Sequence, residues 1–161
     1  MIGAAVALAL FGGLFESHPS ERTQSFQVQR WTAEVRTDAF TGKVSCRLRA
    51  DRVTVSRGDA AFSFGRGTNT SDAVYKIDGA ELKSERDAMI RVAMLGVRTV
   101  TSNPSNNSGG VVHIPAAELG GASTVAIRAN RNGSPRSFDL RGLGAAMDAE
   151  AQRGCDQTLP F

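Results

Sequence analysis

Apolar and polar residues alternate along most of this chain in short runs broken by turn dipeptides, the signature of β-strands with one buried face. From Phe26 to Val35 the apolar positions are Phe26, Val28, Trp31, Ala33 and Val35, with the phase slipping by one at Arg30. That slip predicts either one long strand with a bulge or two short strands. The segment VSCRLRA is the cleanest strand: Val44, Cys46 and Leu48 fall on one face, and Ser45, Arg47 and Arg49 on the other. Further strands are expected at Val53 and Val55, at Phe62 and Phe64, and at Val74 to Ile77. They are separated by Arg57-Gly58-Asp59, a loop from Gly65 to Asp72, and Asp78-Gly79.

The middle of the chain reads differently. Ser84-Glu85-Arg86-Asp87 has the form of a capped helix start, and Met89, Val92, Ala93 and Gly96 would make one face of a short helix; a buried strand, MIRVAML, fits the same residues. Asn103 to Gly110 is a polar loop, NPSNNSGG, expected to be the most mobile stretch of the domain. Beyond it come strands at Val111 to Ile114 and Thr124 to Arg128, then a turn at Asn130 to Gly133 that folds Arg136 to Leu140 back as a hairpin partner. The end of the chain places Leu143, Met147 and Ala151 at helical spacing, with Asp148 and Glu150 directed elsewhere and Gly154 as a left-handed stop. The expected fold is mainly β: an antiparallel β-sandwich or barrel-like meander with a C-terminal helix and one short mid-chain helix where 84–96 is helical.

Ahead of these strands the leader MIGAAVALALFGGLF has no charged side chain. It is shorter than the roughly 20 residues that span a bilayer. Residues 1–15 therefore read as a signal peptide or, if uncleaved, an N-terminal anchor, with a buried N-terminal helix as the third reading. Residues 16–25 are polar, contain Pro19 and read as a linker, leaving 26–161 as a single β-rich domain. Export would mature the two cysteines, Cys46 and Cys155, where disulfides persist. Cys46 faces inward from an early strand and Cys155 follows the terminal helix, so a bridge would fasten that helix across the sheet. Metal binding is not expected, because two distant cysteines lack CxxC spacing and only His18 and His113 could complete a set.

The net charge of +3 is too mild for a nucleic-acid footprint and fits weak attraction to an anionic surface. Sixteen of the nineteen basic residues are arginine, a side chain suited to carboxylate or phosphate pairing. Arg47 and Arg49 project from one strand face and Arg36 or Arg52 can join them from a neighbour, so these four are candidate contacts for an anion or partner. No GxSxG, HExxH, GxxxxGK or CxxC motif is present, and the glycines of Gly65 to Thr70 do not complete GxGxxG. No catalytic residue and no cofactor are assigned. His113 alternates with Val112 and Ile114, which predicts exposure, and a catalytic role would require an orienting carboxylate and a nucleophile. Asp38, Asp59, Asp78 and Glu81 read as turn residues, and Trp31 as core.

An export leader, a Trp early in the first strand, a strand bearing Cys46, the phrase Val74-Tyr75-Lys76-Ile77-Asp78-Gly79, and Ser137-Phe138-Asp139-Leu140-Arg141-Gly142-Leu143 leading into an Ala-rich helix together resemble the invasion-associated locus B family. Those are small secreted β-rich proteins of alphaproteobacteria, and the resemblance implies an envelope role with no catalytic residue to transfer. The expectation is thus a periplasmic or secreted, non-catalytic binding protein with an unidentified envelope or protein partner. It would touch a membrane only through an uncleaved N-terminal segment. A secreted enzyme inhibitor and an enzyme without a recognisable motif are the alternatives.

Overall fold

The architecture is that of a computed structural model, which describes residues 22–87, 90 and 109–155. Its strands are β1 (Arg22–Val28), β2 (Trp31–Thr37), β3 (Val44–Ala50), β4 (Val53–Ser56), β5 (Asp59–Ser63), β6 (Val74–Ile77), β7 (Lys83–Ser84), β8 (Val111–Pro115), β9 (Thr124–Arg128) and β10 (Arg136–Asp139). One α-helix, α1 (Leu143–Ala151), closes the order, and residues 85–87 are helical as the Ser84 cap predicts. The Ser84 hydroxyl accepts the Asp87 amide at 3.1 Å and donates to its carboxylate at 2.6 Å. The helix face from Met89 to Gly96 and the loop from Asn103 to Ser108 lie outside the described residues.

Two antiparallel sheets form, one of six strands in the order β1-β2-β3-β4-β5-β8 and one of four in the order β10-β9-β6-β7. The phase slip at Arg30 is a hairpin: Gln29 takes φ of 54° and β2 turns back on β1 with Val28 opposite Trp31. The Arg57–Gly58 connection has positive φ at both residues, 53° and 75°, the turn whose twist matches its flanking strands. β1 also begins at Arg22, four residues before Phe26, and so takes in residues read as linker. They are polar because β1 is an edge strand largely open to solvent.

The inward residues of both sheets merge into one apolar cluster. Trp31, Leu48, Val55 and Phe62 from the larger sheet meet Tyr75, Val125, Ile127 and Phe138 from the smaller, with the Phe62 and Phe138 rings edge-to-face at 5.1 Å. The Trp31 core reading holds: the side chain is fully buried and its indole N–H donates to the Arg141 carbonyl at 3.1 Å. Helix α1 contributes Leu143, Ala146, Met147 and Glu150 to the interior. Here the sequence expectation needs correcting, since Glu150 is buried and Ala151 exposed. Counting i+3, i+4 and i+7 from Leu143 gives 146, 147 and 150, so helical geometry carries Glu150 inward despite its charge.

Between β5 and β8 the chain builds β6 and β7 of the other sheet, then returns to pair Ala60 with Ile114 and Phe62 with Val112. A backbone contact fixes the return point: the Phe64 amide donates to the Gly110 carbonyl at 2.7 Å. Gly110 has φ of 66°, and a Cβ there would lie 1.8 Å from the Gly65 carbonyl oxygen. Only glycine permits this approach.

Candidate functional site

The outer face of the larger sheet carries three of the four candidate arginines. Register places Gln27, Thr32, Arg49, Thr54, Ala61 and His113 in one cross-strand row. Arg47 stands one outward position along β3 from Arg49 and opposite Glu34, and Arg36 stands opposite Ser45. Arg36, Arg47 and Arg49 are all exposed. The Glu34 carboxylate pairs with Arg36 at 3.7 Å, while Arg47 and Arg49 have no acidic partner among the described residues. Arg52 is not part of this row. It sits in the β3–β4 turn and lines a separate cleft of about 270 Å³ with Arg30, Arg136 and Asp139.

Next to the arginines, the β2–β3 connection is a loop braced by Asp38. The Asp38 carboxylate accepts the Phe40 and Thr41 amides at 2.9 and 2.7 Å, which holds its pKa below the usual carboxylate value. Asp38 is therefore the turn residue the sequence suggested. Its loop presents Phe40 with 93% of its surface exposed.

His113 contradicts its expected exposure, for its side chain is only 15% exposed. It is on the outer face as alternation requires, but the Glu85 segment covers it. The His113 ring donates from Nδ1 to Asp59 Oδ2 at 2.7 Å, since a carboxylate can only accept. Its backbone N–H donates to Glu85 Oε1 at 2.8 Å. Asp59 is thus a strand residue at the start of β5 and a partner of His113, not a turn residue, and its Oδ1 is buried with no hydrogen-bond partner among the described residues.

Burial pushes the Glu85 carboxyl up to about 7, against the bond and charge of His113, which favour ionisation. Burial alone would push His113 down, but the hydrogen bond and charge of Asp59, helped by the charge of Glu85, raise it above the usual imidazole value. The cluster supplies the orienting carboxylate that a histidine base requires. Among the described residues, however, no hydroxyl or thiol hydrogen-bonds to the ring.

The role visible from geometry is closure of a sheet edge. β8 is the last strand of its sheet, and its outward polar groups would otherwise be open to pairing. Glu85 accepts the His113 amide, the buried Thr70 hydroxyl donates to the Val111 carbonyl at 3.1 Å, and Pro115 has no N–H to offer. Sequence could not supply these contacts, because Asp59, Glu85 and His113 belong to segments far apart in the chain. The only local signal was alternation, which set Asp59 opposite in phase to the buried Ala60.

Cys46 and Cys155 are paired at disulfide distance with Cα atoms 6.0 Å apart, joining β3 to the residue after α1. Gly154, with φ of 86°, stops the helix so that the Cys155 amide bonds the Glu150 carbonyl at 3.0 Å. This is the contact, helix end to early strand, that the sequence predicted. Among the described residues no helix is long and apolar enough to cross a membrane, and no group of three or more His, Cys, Asp or Glu side chains is placed to hold a metal. No protein-family model, curated protein or solved structure matches the chain.

Proposed function

We propose that this domain is an exported, non-catalytic binding protein of the cell envelope that engages an anionic partner surface through Arg36, Arg47 and Arg49. The carrying observation is the alignment of Arg47 and Arg49 on successive outward positions of β3, exposed and without acidic partners among the described residues. Guanidinium groups left solvated on a rigid strand keep their donors for phosphate or carboxylate groups. Phe40, exposed on the adjoining β2–β3 loop that Asp38 braces, offers an apolar contact in addition. Export is supported by the leader, by a cysteine pair suited to an oxidising compartment, and by the resemblance to the locus B family.

The test is sedimentation of the oxidised protein with phosphatidylglycerol vesicles at low and high salt, with fractionation of the producing cell alongside. Each basic residue near such a surface contributes about 1 kcal/mol, so R47Q/R49Q should weaken binding about thirtyfold at low salt. Binding that is indifferent to both salt and this double variant would remove the proposed face. Recovery of the protein from the cytoplasm with two titratable thiols would remove the envelope reading.

A further inference from the structure

A second basic concavity lies on the outer face of the smaller sheet, away from the Arg47 and Arg49 row. It has a volume of about 300 Å³ and is lined by Ser71, Asp72, Ser84, Arg86, Arg128 and Arg131 around Ala73 and Val74. Register explains half of it: Ser84 pairs with Val74 and Val74 with Arg128, so the three form a row whose outward phase is set by the buried Tyr75. Arg86 enters from the helical residues after β7, and Arg131 from the β9–β10 turn.

The segments carrying these groups are stitched to one another. The Asn130 side-chain amide donates to the Asn69 carbonyl at 3.4 Å, and Asn69 Oδ1 accepts the Ser71 amide at 2.9 Å. The Glu85 amide donates to the Ala73 carbonyl at 3.0 Å, which ties the Arg86 segment to the same loop. Asn130 Oδ1 accepts the Asn132 amide at 3.1 Å and so fixes the turn that presents Arg131. The rim is therefore built before any ligand arrives, which lowers the entropy lost on binding.

Its charges are also unspent. Four other arginines are committed: Arg30 and Arg141 to Asp139, Arg153 to the Phe26 ring and Arg136 to the Phe64 ring. The guanidinium groups of Arg86, Arg128 and Arg131 have neither an ion pair nor a hydrogen bond to any described residue, although Asp72 shares their pocket.

We infer that this pocket binds a small phosphate monoester, its phosphoryl oxygens taken by the guanidinium groups of Arg86, Arg128 and Arg131. Arginine matches a phosphoryl group bidentately, and three of them with Asp72 leave a net +2 in the lining, the charge that balances a dianion. The volume stands at the lower end for ligand sites, which limits the rest of the molecule to a few carbon atoms. Asp72 repels a second anionic group and accepts from a hydroxyl or ammonium, so the ligand carries its negative charge at one end.

Titration of the isotope-labelled, oxidised full chain with inorganic phosphate and then glycerol 3-phosphate, at constant ionic strength, tests this by amide shifts. Saturable shifts at Ser71, Asp72, Ser84 and Arg128 are expected, with glycerol 3-phosphate the tighter ligand. R128Q/R131Q should weaken binding at least about tenfold at an unchanged melting temperature, and R47Q/R49Q should leave it unaltered. If the double variant does not fold, R86Q supplies the same comparison. Competition by phosphatidic acid vesicles would identify a lipid headgroup as the source of the phosphoryl group, and its absence a soluble ester. No saturable shift with either probe, equal affinity in the pocket variants, or loss of binding in R47Q/R49Q would overturn the assignment. Because R47Q/R49Q also carries the vesicle test, the two sites stand or fall separately.

Discussion

The two edges of the six-stranded sheet are protected by different physics. At one end, β1 is a polar strand held from behind: Arg153, just past α1, lies 4.0 Å above the Phe26 ring, and the Cys46–Cys155 bridge ties the helix end to β3. At the other, β8 has its outward groups occupied by side chains, one of which is the buried carboxyl of Glu85. The first arrangement depends on a covalent bond and packing, and the second on protons. One end of the sheet should thus respond to reduction and the other to pH.

The largest separation of the two should come from breaking the bridge. Closing a loop of this sequence separation, 109 residues, stabilises by about 5 kcal/mol in the chain-entropy model. C46A/C155A, or reduction of the native protein, should lower the denaturant midpoint accordingly and leave the shape of the stability-versus-pH curve unchanged. A changed pH profile in that variant would show that the two ends are coupled.

The pH dependence itself comes next. The unfolded Glu85 loses its proton near 4.5 while the folded one keeps it to about 7, so stability falls as pH rises through that window. His113, raised above 6.5 in the fold, extends the fall upward from 6.5, because the unfolded ring deprotonates first. Both act in the same direction. Asp38 and Asp78, whose pKa values are lowered by hydrogen bonds from backbone amides, act oppositely but only as pH falls below about 3.8. The protein should therefore be more stable at pH 5 than at pH 8, by up to about 3 kcal/mol for Glu85 alone, and melt at a higher temperature. E85Q should flatten the lower part of the slope and keep the His113 part; equal melting temperatures of the native protein at both values would refute the proton-dependent edge.

R153A offers the finest comparison. Losing a cation over an aromatic face at a partly exposed site costs about 1 kcal/mol. It should loosen the β1 end alone, seen as faster amide exchange in β1 with that of β8 unchanged. Equal acceleration in both strands would mean the edges are not independent.

These contrasts also mark where sequence could be read. Strand positions follow alternation because period 2 is local: β3, β4, β5 and β9 fall where Val44, Val53, Phe62 and Val125 placed them. The cysteine contact was legible because each residue sat at a recognisable place, an inward strand position and a glycine-stopped helix end. Strand order was not legible, since nothing near Val111 states that it returns to Phe62 across two strands of another sheet. His113 was misjudged for the same reason. Alternation gives its face, but whether that face is wet depends on Glu85, twenty-eight residues earlier. Arg52 left the arginine row because the tight β3–β4 turn, with Asp51 at φ of 45°, puts it at the end of the sheet.

One consequence of the bridge concerns connectivity. Residues 46 to 155 form a covalent ring that takes in most of β3, all of β4 to β10 and the helix, with β1 and β2 on a tail outside it. A protease that cuts a loop anywhere within the ring opens it without releasing a fragment, so the nicked protein keeps its full mass until reductant is added. A cut before β3 instead severs the last covalent link to the β1–β2 hairpin, which then stays only through its pairing with β3 and its buried Trp31, so denaturant without reductant releases it.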